Sequence, residues 1–313
     1  MKRISFKNGN IEVAGNVHLP PGFDGSLSYP AIVLATPGSS VKEQIGAIYA
    51  EKLAKKGFVA LAFDPSHQGE SGGEPRDLED PAARIEDLRC AIGYLTTLAY
   101  VDADRIGLLG ICAGGGYAIS AALSECRFRA VGTVVANDIG EALRRLLPDY
   151  RQTLVDVANQ RTAEALGGEQ RRDPWIPDSL KEAENAGITD PDVLEAVRFY
   201  RESQYRHPNS TNRLLFVSYG SMLSFDAFSL VPELLTQPLQ VIVGGRRGTT
   251  GQYESGQRLF DLSPSSEKDF MVVEGAGHYD MYYKPEYVGK AIDRLAAFYA
   301  RYLNADLPDI SLH

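Results

Sequence analysis

Cys112 and His278 are the residues around which a reaction could be built. The cysteine stands in Gly110-Ile111-Cys112-Ala113-Gly114, with an apolar run from Arg105 before it and a helical pattern, Tyr117, Ala121 and Ala122, directly behind. Strand, sharp turn and helix in that order make a nucleophile elbow with cysteine in the usual place of serine. The glycines let strand and helix close around a strained turn that pushes the side chain outward. A helix N-terminus and a nearby imidazole would both favour the thiolate. Taken alone, the five-residue pattern fits a buried structural cysteine on a Gly-rich turn equally well.

The second group is Gly275-Ala276-Gly277-His278, which follows the last strand-like run (269–274) and precedes an amphipathic helical pattern over 285–303. That slot puts an imidazole at the same sheet edge as Cys112, where it can act as general base and then acid. His67 lies in a loop at that edge and reads as a pocket or structural residue, whereas His18, His207 and His313 have no comparable placement. Of three cysteines, Cys90 and Cys126 fall on predicted helix flanks and read as structural. With no CxxC spacing and no histidine cluster, neither a disulfide framework nor a metal site is expected, and no cofactor is implied.

The elements that must position these residues follow from periodicity. Runs 3–7 and 11–19 alternate around Asn8-Gly9-Asn10, which predicts an N-terminal hairpin. Continuous apolar runs at 30–35, 58–64, 105–111, 129–136, 238–243 and 269–274 have the length of strands buried on both faces. Between them lie helical patterns, one predicted to start at the capping box Ser40-Val41-Lys42-Glu43 and another at Asp80-Pro81. Alternation of this kind means βαβ units and a mostly parallel sheet, with ligands at the carboxyl ends of the strands. The rhythm stops over 140–237, where helical signals such as Asp178-Ser179 and Asp190-Pro191 dominate. The expected organisation is therefore an α/β core, 1–139 with 238–313, carrying an inserted, mainly helical cap, 140–237. The aromatics Trp175, Tyr200, Phe216, Phe225 and Phe228 either line an apolar pocket or pack the cap's own core.

A chain of 313 residues with 44% hydrophobic and 23% charged residues buries a sizeable core. Its net charge of -9 and pI near 5.2 argue against nucleic acid or an anionic membrane as the main partner. The pairs Arg144-Arg145, Arg171-Arg172 and Arg246-Arg247 read as solvated faces, or as contacts for an acidic carrier or substrate. Without an apolar N-terminal segment or a run of about eighteen apolar residues, a cytoplasmic location is expected. Self-association is left open.

With these motifs in place the sequence resembles the α/β-hydrolase superfamily over nearly its whole length. Gly110-Ile111-Cys112-Ala113-Gly114-Gly115 is similar to the dienelactone-hydrolase-like branch, which uses cysteine. Adding Phe63-Asp64, the run from Gln68 to Arg76 and the extension to Tyr117, the chain resembles bacterial hydrolases related to fungal polyketide thiohydrolases and acyltransferases. The resemblance implies a triad, yet the loop that usually holds its acid reads Gly244-Gly245-Arg246-Arg247-Gly248-Thr249-Thr250, with no carboxylate. Asp138, just after the preceding strand, is the preferred substitute; Glu254, an unassisted Cys-His pair and, more remotely, Asp226 are the alternatives. Asp138 can equally serve as a helix N-cap. The resemblance also implies an oxyanion hole, from the Ala113 N–H and the Gly38-Ser39 turn; Thr36-Pro37-Gly38-Ser39 stands where the family often has His-Pro-Gly-Gly.

The expected activity is cleavage of an ester, thioester or lactone through an acyl-enzyme on Cys112, with a small acyl compound, free or carrier-bound, as substrate. Two other readings stand beside it: an acyltransferase moving a polyketide-like acyl group from a carrier thioester to an alcohol, and a non-catalytic small-molecule-binding homologue.

Overall fold

The computed structural model describes residues 1–304; residues 305–313, His313 among them, lie outside the described residues. The chain opens with the expected hairpin, β1 (Lys2–Asn8) and β2 (Ile11–His18), paired antiparallel from Lys2 opposite Val17 to Asn8 opposite Ile11. Its turn places Gly9 at φ 54°, a left-handed backbone that glycine adopts without steric cost.

β3 (Tyr29–Ala35) leads into a helix that does not start at Ser40. Val41 takes the cap position, a π-helical turn (Lys42–Gly46) kinked at Gln44 follows, and only then does α1 (Ala47–Lys55) begin. Gln44 Oε1, not Glu43, accepts the returning N–H, that of Val41, at 3.1 Å. The cause is Asp64, which takes the Lys42 N–H at 2.7 Å and the Lys42 ammonium at 2.8 Å and so draws the first turn inward.

After α1 come β4 (Val59–Phe63), α2 (Pro81–Leu95), β5 (Val101–Ile111), α3 (Ala113–Ala122) and β6 (Phe128–Val134). Asp80 caps α2 as its sequence suggests, accepting the Ala82 N–H at 2.9 Å. The next segment holds α4 (Ile139–Leu146), α5 (Tyr150–Ala165), β7 (Arg172–Pro174), α6 (Leu180–Asn185), α7 (Pro191–Val197), a π-helical turn (Arg198–Glu202), β8 (Arg213–Leu215), α8 (Ser218–Ser224) and α9 (Val231–Leu234). Ser179 and Asp190 cap α6 and α7. β7 and β8 pair antiparallel as a separate ribbon, which three-residue strands such as Arg172-Asp173-Pro174 do not announce by periodicity. The chain returns to the sheet with β9 (Leu239–Gly244), α10 (Gln252–Leu262), β10 (Lys268–Val273), α11 (Asp280–Tyr283) and α12 (Pro285–Tyr302).

The eight-stranded sheet runs β1-β2-β4-β3-β5-β6-β9-β10, parallel from β4 to β10. Side chains alternate between its faces, giving two cores. Val33, Leu108 and Val131 pack with Leu88 and Tyr117 on one side; Leu34, Leu109 and Ile242 pack with Tyr49, Ile292 and Leu295 on the other. Each large aliphatic side chain so buried contributes about 2 kcal/mol. The carboxyl ends of β3, β5, β6 and β9, set side by side by this register, carry the loops of the candidate site. Among the described residues no helix is long and apolar enough to cross a membrane.

Candidate active site

Cys112 occupies the turn between β5 and α3 at φ 57°, ψ -128°. A side-chain-bearing residue pays about 1–3 kcal/mol for such a backbone, so its surroundings must hold it there. Three hydrogen bonds do: the Cys112 N–H donates to the Val134 carbonyl at 3.1 Å, and the Cys112 carbonyl accepts from Gly115 at 2.8 Å and Asn137 at 2.9 Å. The motif's glycines permit the approach. A Cβ on Gly114 would strike the Ala35 and Thr36 carbonyls, and one on Gly110 would lie 2.6 Å from the Gly114 oxygen.

Beneath the turn, Arg84 is buried with its guanidinium 4.9 Å from the Tyr117 ring centre, and it donates to the Thr36 carbonyl. Glu79 balances that charge at 3.6 Å and accepts the Tyr117 hydroxyl at 2.8 Å. Burial pushes the Cys112 thiol above its ordinary range; Tyr282, the Ala113 N–H and the Arg84 charge oppose the shift without reversing it.

The structure brings His278 to the same place, fully buried on the loop between β10 and α11. Its Nε2 lies 3.1 Å from the Tyr282 hydroxyl, and that phenol also adjoins the Cys112 thiol. Desolvation pushes the imidazole down to about 3, so thiol and imidazole rest neutral. Asp280 fixes the loop, accepting the Gly277 N–H at 2.8 Å and pairing with Arg246 at 3.0 Å and Lys284 at 2.5 Å. Burial pushes the Asp280 carboxyl up, but Lys284, the Gly277 N–H and Arg246 together hold it below the usual range. Arg246 also meets Glu195 of α7 at 2.9 Å, which ties the histidine loop to the segment between β6 and β9.

The expected acid does not reach this histidine. Among the described residues, His278 Nδ1 has no hydrogen-bond partner. Asp138 instead caps α4, accepting the Gly140 and Glu141 N–H groups at 3.0 and 3.4 Å, because its position just before the helix turns the carboxylate onto those free donors. Its other oxygen faces Arg258 at 3.6 Å, which also holds Asp226 at 3.2 Å. Burial, with the Asp226 charge adding, keeps the Asp138 carboxyl above the usual range. Glu254 points outward to Arg247 at 3.1 Å. The remaining alternative, a Cys-His pair without a bonded carboxylate, is the one this geometry matches.

A carboxylate does enter the loop where the family's acid is usual, but from α7: Asp192 accepts the Thr250 N–H and hydroxyl, both at 3.0 Å, in space left by Gly248. Its sequence context, directly after Asp190-Pro191, signals only a helix start. His67 is structural, its Nδ1 3.1 Å from the Pro75 carbonyl and its backbone at φ 73°.

Gly38, Ser39 and Ala113 share with Cys112, His278 and Tyr282 the lining of a cavity of about 240 Å³. Ser39 sits at φ 60°, and its carbonyl is held by the Ser210 hydroxyl at 2.9 Å. The far walls come from the segment between β6 and β9 and are mainly apolar: Leu143 and Leu146 of α4, Val193 and Ala196 of α7, and Leu214. Of the five aromatics, Trp175 and Tyr200 line this cavity. Phe216 packs under Arg171 and beside Tyr219, Phe225 against Tyr117, and Phe228 in the core near Arg258. Tyr282 and Asp280 escape sequence reasoning; the signal for Tyr282 is its position four residues beyond His278, a spacing that brings two side chains together where the turn at His278 runs into the short helix α11.

A model of the alpha/beta hydrolase family matches residues 32–291. The uncharacterized protein YcjY of Escherichia coli is 38% identical over 306 residues, covering 95% of this chain and 97% of that protein. Thiohydrolase aneE of Aspergillus aculeatus is 27% identical over 241 residues, 75% of this chain and 73% of its own. The crystal structure of the hypothetical protein PA2218 from Pseudomonas aeruginosa superposes with a TM-score of 0.84 at 29% identity, covering 96% of this chain and 93% of that one. Elbow, parallel sheet and late histidine thus agree with the family match: this chain belongs to the alpha/beta hydrolase family.

Proposed function

We propose that the protein is a cysteine-dependent hydrolase that cleaves an ester, thioester or lactone of a predominantly apolar acyl group. The observation carrying this reading is the Cys112 thiol, held at the strained head of α3 beside the Tyr282–His278 pair and opening on an apolar cavity. In the proposed cycle Sγ attacks the carbonyl carbon as the thiol proton passes to Tyr282 while the phenol's own proton passes to His278 Nε2. The alkoxide or thiolate leaving group then takes a proton back from the imidazolium, and the acyl group stays on sulfur until water attacks. Likeness to a protein named thiohydrolase supports an activated acyl substrate. So does the chemistry of sulfur, because a tetrahedral adduct on cysteine expels thiolate more readily than amine.

The enclosing apolar walls favour one second reading, transfer of the acyl group to an alcohol, since a site that excludes water lengthens the life of an acyl-enzyme. Intact-mass analysis after mixing with p-nitrophenyl hexanoate tests the first step: a hexanoyl adduct on Cys112, absent from Cys112→Ala and formed at least a hundredfold more slowly by His278→Ala, is expected. Product analysis with S-hexanoyl-N-acetylcysteamine, with and without a primary alcohol, separates hydrolysis from transfer. Normal adduct formation by His278→Ala, or labelling of Cys90 in place of Cys112, overturns the proposal.

A further inference from the structure

Tyr200 is the side chain that the mechanism above leaves unused. It stands in the π-helical turn Arg198–Glu202, a geometry that often marks functional positions. Its ring is clamped edge-on by Phe199 at 4.9 Å and lies 6.2 Å from the ring of Tyr282. The residue is only 8% exposed, and its hydroxyl makes no hydrogen bond of ordinary geometry among the described residues, although the hydroxyls of Ser40 and Tyr282 stand close to it. A buried hydroxyl left without a well-formed hydrogen bond destabilises the fold, and a ligand able to accept from it would relieve that. The phenol adjoins Ser40, at the end of the Gly38-Ser39 turn, and it lines the cavity with Gly38, Ser39, Cys112 and Ala113.

From this placement we infer that Tyr200 donates its hydroxyl proton in a hydrogen bond to the oxyanion formed when Cys112 attacks an acyl carbonyl. The inference rests on the reading of Cys112 as nucleophile and extends it by one catalytic residue. As the carbon–sulfur bond forms, the carbonyl π pair moves onto oxygen, and that oxygen accepts from Tyr200 together with the Ala113 N–H. On collapse the pair returns to carbon, the bond to the leaving group breaks, and Tyr200 keeps its proton throughout. A donor aimed at charge that exists only in the transition state speeds the chemical step without tightening substrate binding. Because Tyr200 belongs to the segment between β6 and β9, the inserted segment then supplies chemistry as well as pocket walls.

The test is Tyr200→Phe, which keeps the ring and removes the donor. With p-nitrophenyl hexanoate, acylation and kcat are expected to fall ten- to a hundredfold with KM within about twofold. Alkylation of Cys112 by iodoacetamide at pH 9, which builds no oxyanion, is expected to change less than twofold. Unchanged acylation overturns the inference, and so does an equal fall in acylation and alkylation, which would place Tyr200 on the thiol rather than on the carbonyl. A wild-type protein that never acylates Cys112 removes the underlying reading and this inference with it. Normal wild-type acylation matched by Tyr200→Phe removes this inference alone.

Discussion

The Tyr282 hydroxyl lies 3.1 Å from His278 Nε2 and adjoins the Cys112 thiol, so a phenol occupies the path between sulfur and imidazole. The two aromatic rings sit 5.3 Å apart, His278 on the turn that leads into α11 and Tyr282 within α11, so the contact is fixed by local geometry. Tyr282→Phe is expected to lower kcat with p-nitrophenyl hexanoate by about ten- to a thousandfold while leaving the melting temperature within a few degrees. Wild-type turnover by this variant would mean that His278 reaches sulfur without the phenol. General acid–base assistance contributes about 10²–10⁴ in all, and the loss of one relay member is expected to stay below that ceiling.

His278 gives the fold a dependence on acid. Its pKa is pushed down to about 3 in the folded chain, against about 6.5 for an unfolded histidine. Below pH 6.5 the unfolded chain therefore binds a proton that the folded one refuses. Stability falls as pH drops toward 3, by at most about 1.4 kcal/mol per pH unit from this group. Urea melts of His278→Asn between pH 4 and 7 should show a shallower loss than the wild type. Parallel curves for the two proteins would refute the assignment.

Asp138 should prove dispensable for turnover. Asparagine caps a helix about as well as aspartate, and replacing a buried carboxyl that sits above its usual range removes the cost of ionising it at neutral pH. Asp138→Asn is expected to keep kcat within about twofold and to be as stable as the parent or slightly more so at pH 7. A hundredfold rate loss would restore it as the triad's acid.

Gly114 tests the packing of the elbow. An alanine there meets the carbonyls of Ala35 and Thr36, rigid backbone that no side-chain rotation clears. Gly114→Ala should cost more than about 3 kcal/mol and yield little folded protein. The same change at Gly289, where nothing lies within 4 Å of the added carbon, should be tolerated. Comparable melting curves for the two variants would show that the turn relaxes more freely than its hydrogen bonds suggest.

The core of this fold is legible because its signals are local: continuous apolar runs for β3 to β6, Asp80-Pro81 at the head of α2, and glycines set about a cysteine. His278 was legible because a glycine-flanked residue after the last strand can go only to one sheet edge. What escaped depended on contacts distant in sequence. The start of α1 shifted because Asp64, 22 residues on, takes the Lys42 N–H. The identity of the acid misled because a short-range bond, Asp138 to the Gly140 N–H, wins over a distant one to His278. Asp192 was unreadable for the opposite reason, since its partner Thr250 lies 58 residues away and only the folded segment between β6 and β9 brings them together.

The ion-pair chain from Glu195 through Arg246 to Asp280 links the helix that lines the cavity to the loop that holds the imidazole. A change in the length or tilt of α7 moves Glu195, and with it the guanidinium that shares Asp280 with the Gly277 N–H. Under the proposed mechanism, substrate choice and proton transfer are therefore not separable modules in this chain. An exchange of the segment between β6 and β9 among relatives carries the placement of His278 along with the shape of the pocket, and a graft that omits Arg246 or Glu195 transfers the walls without the alignment.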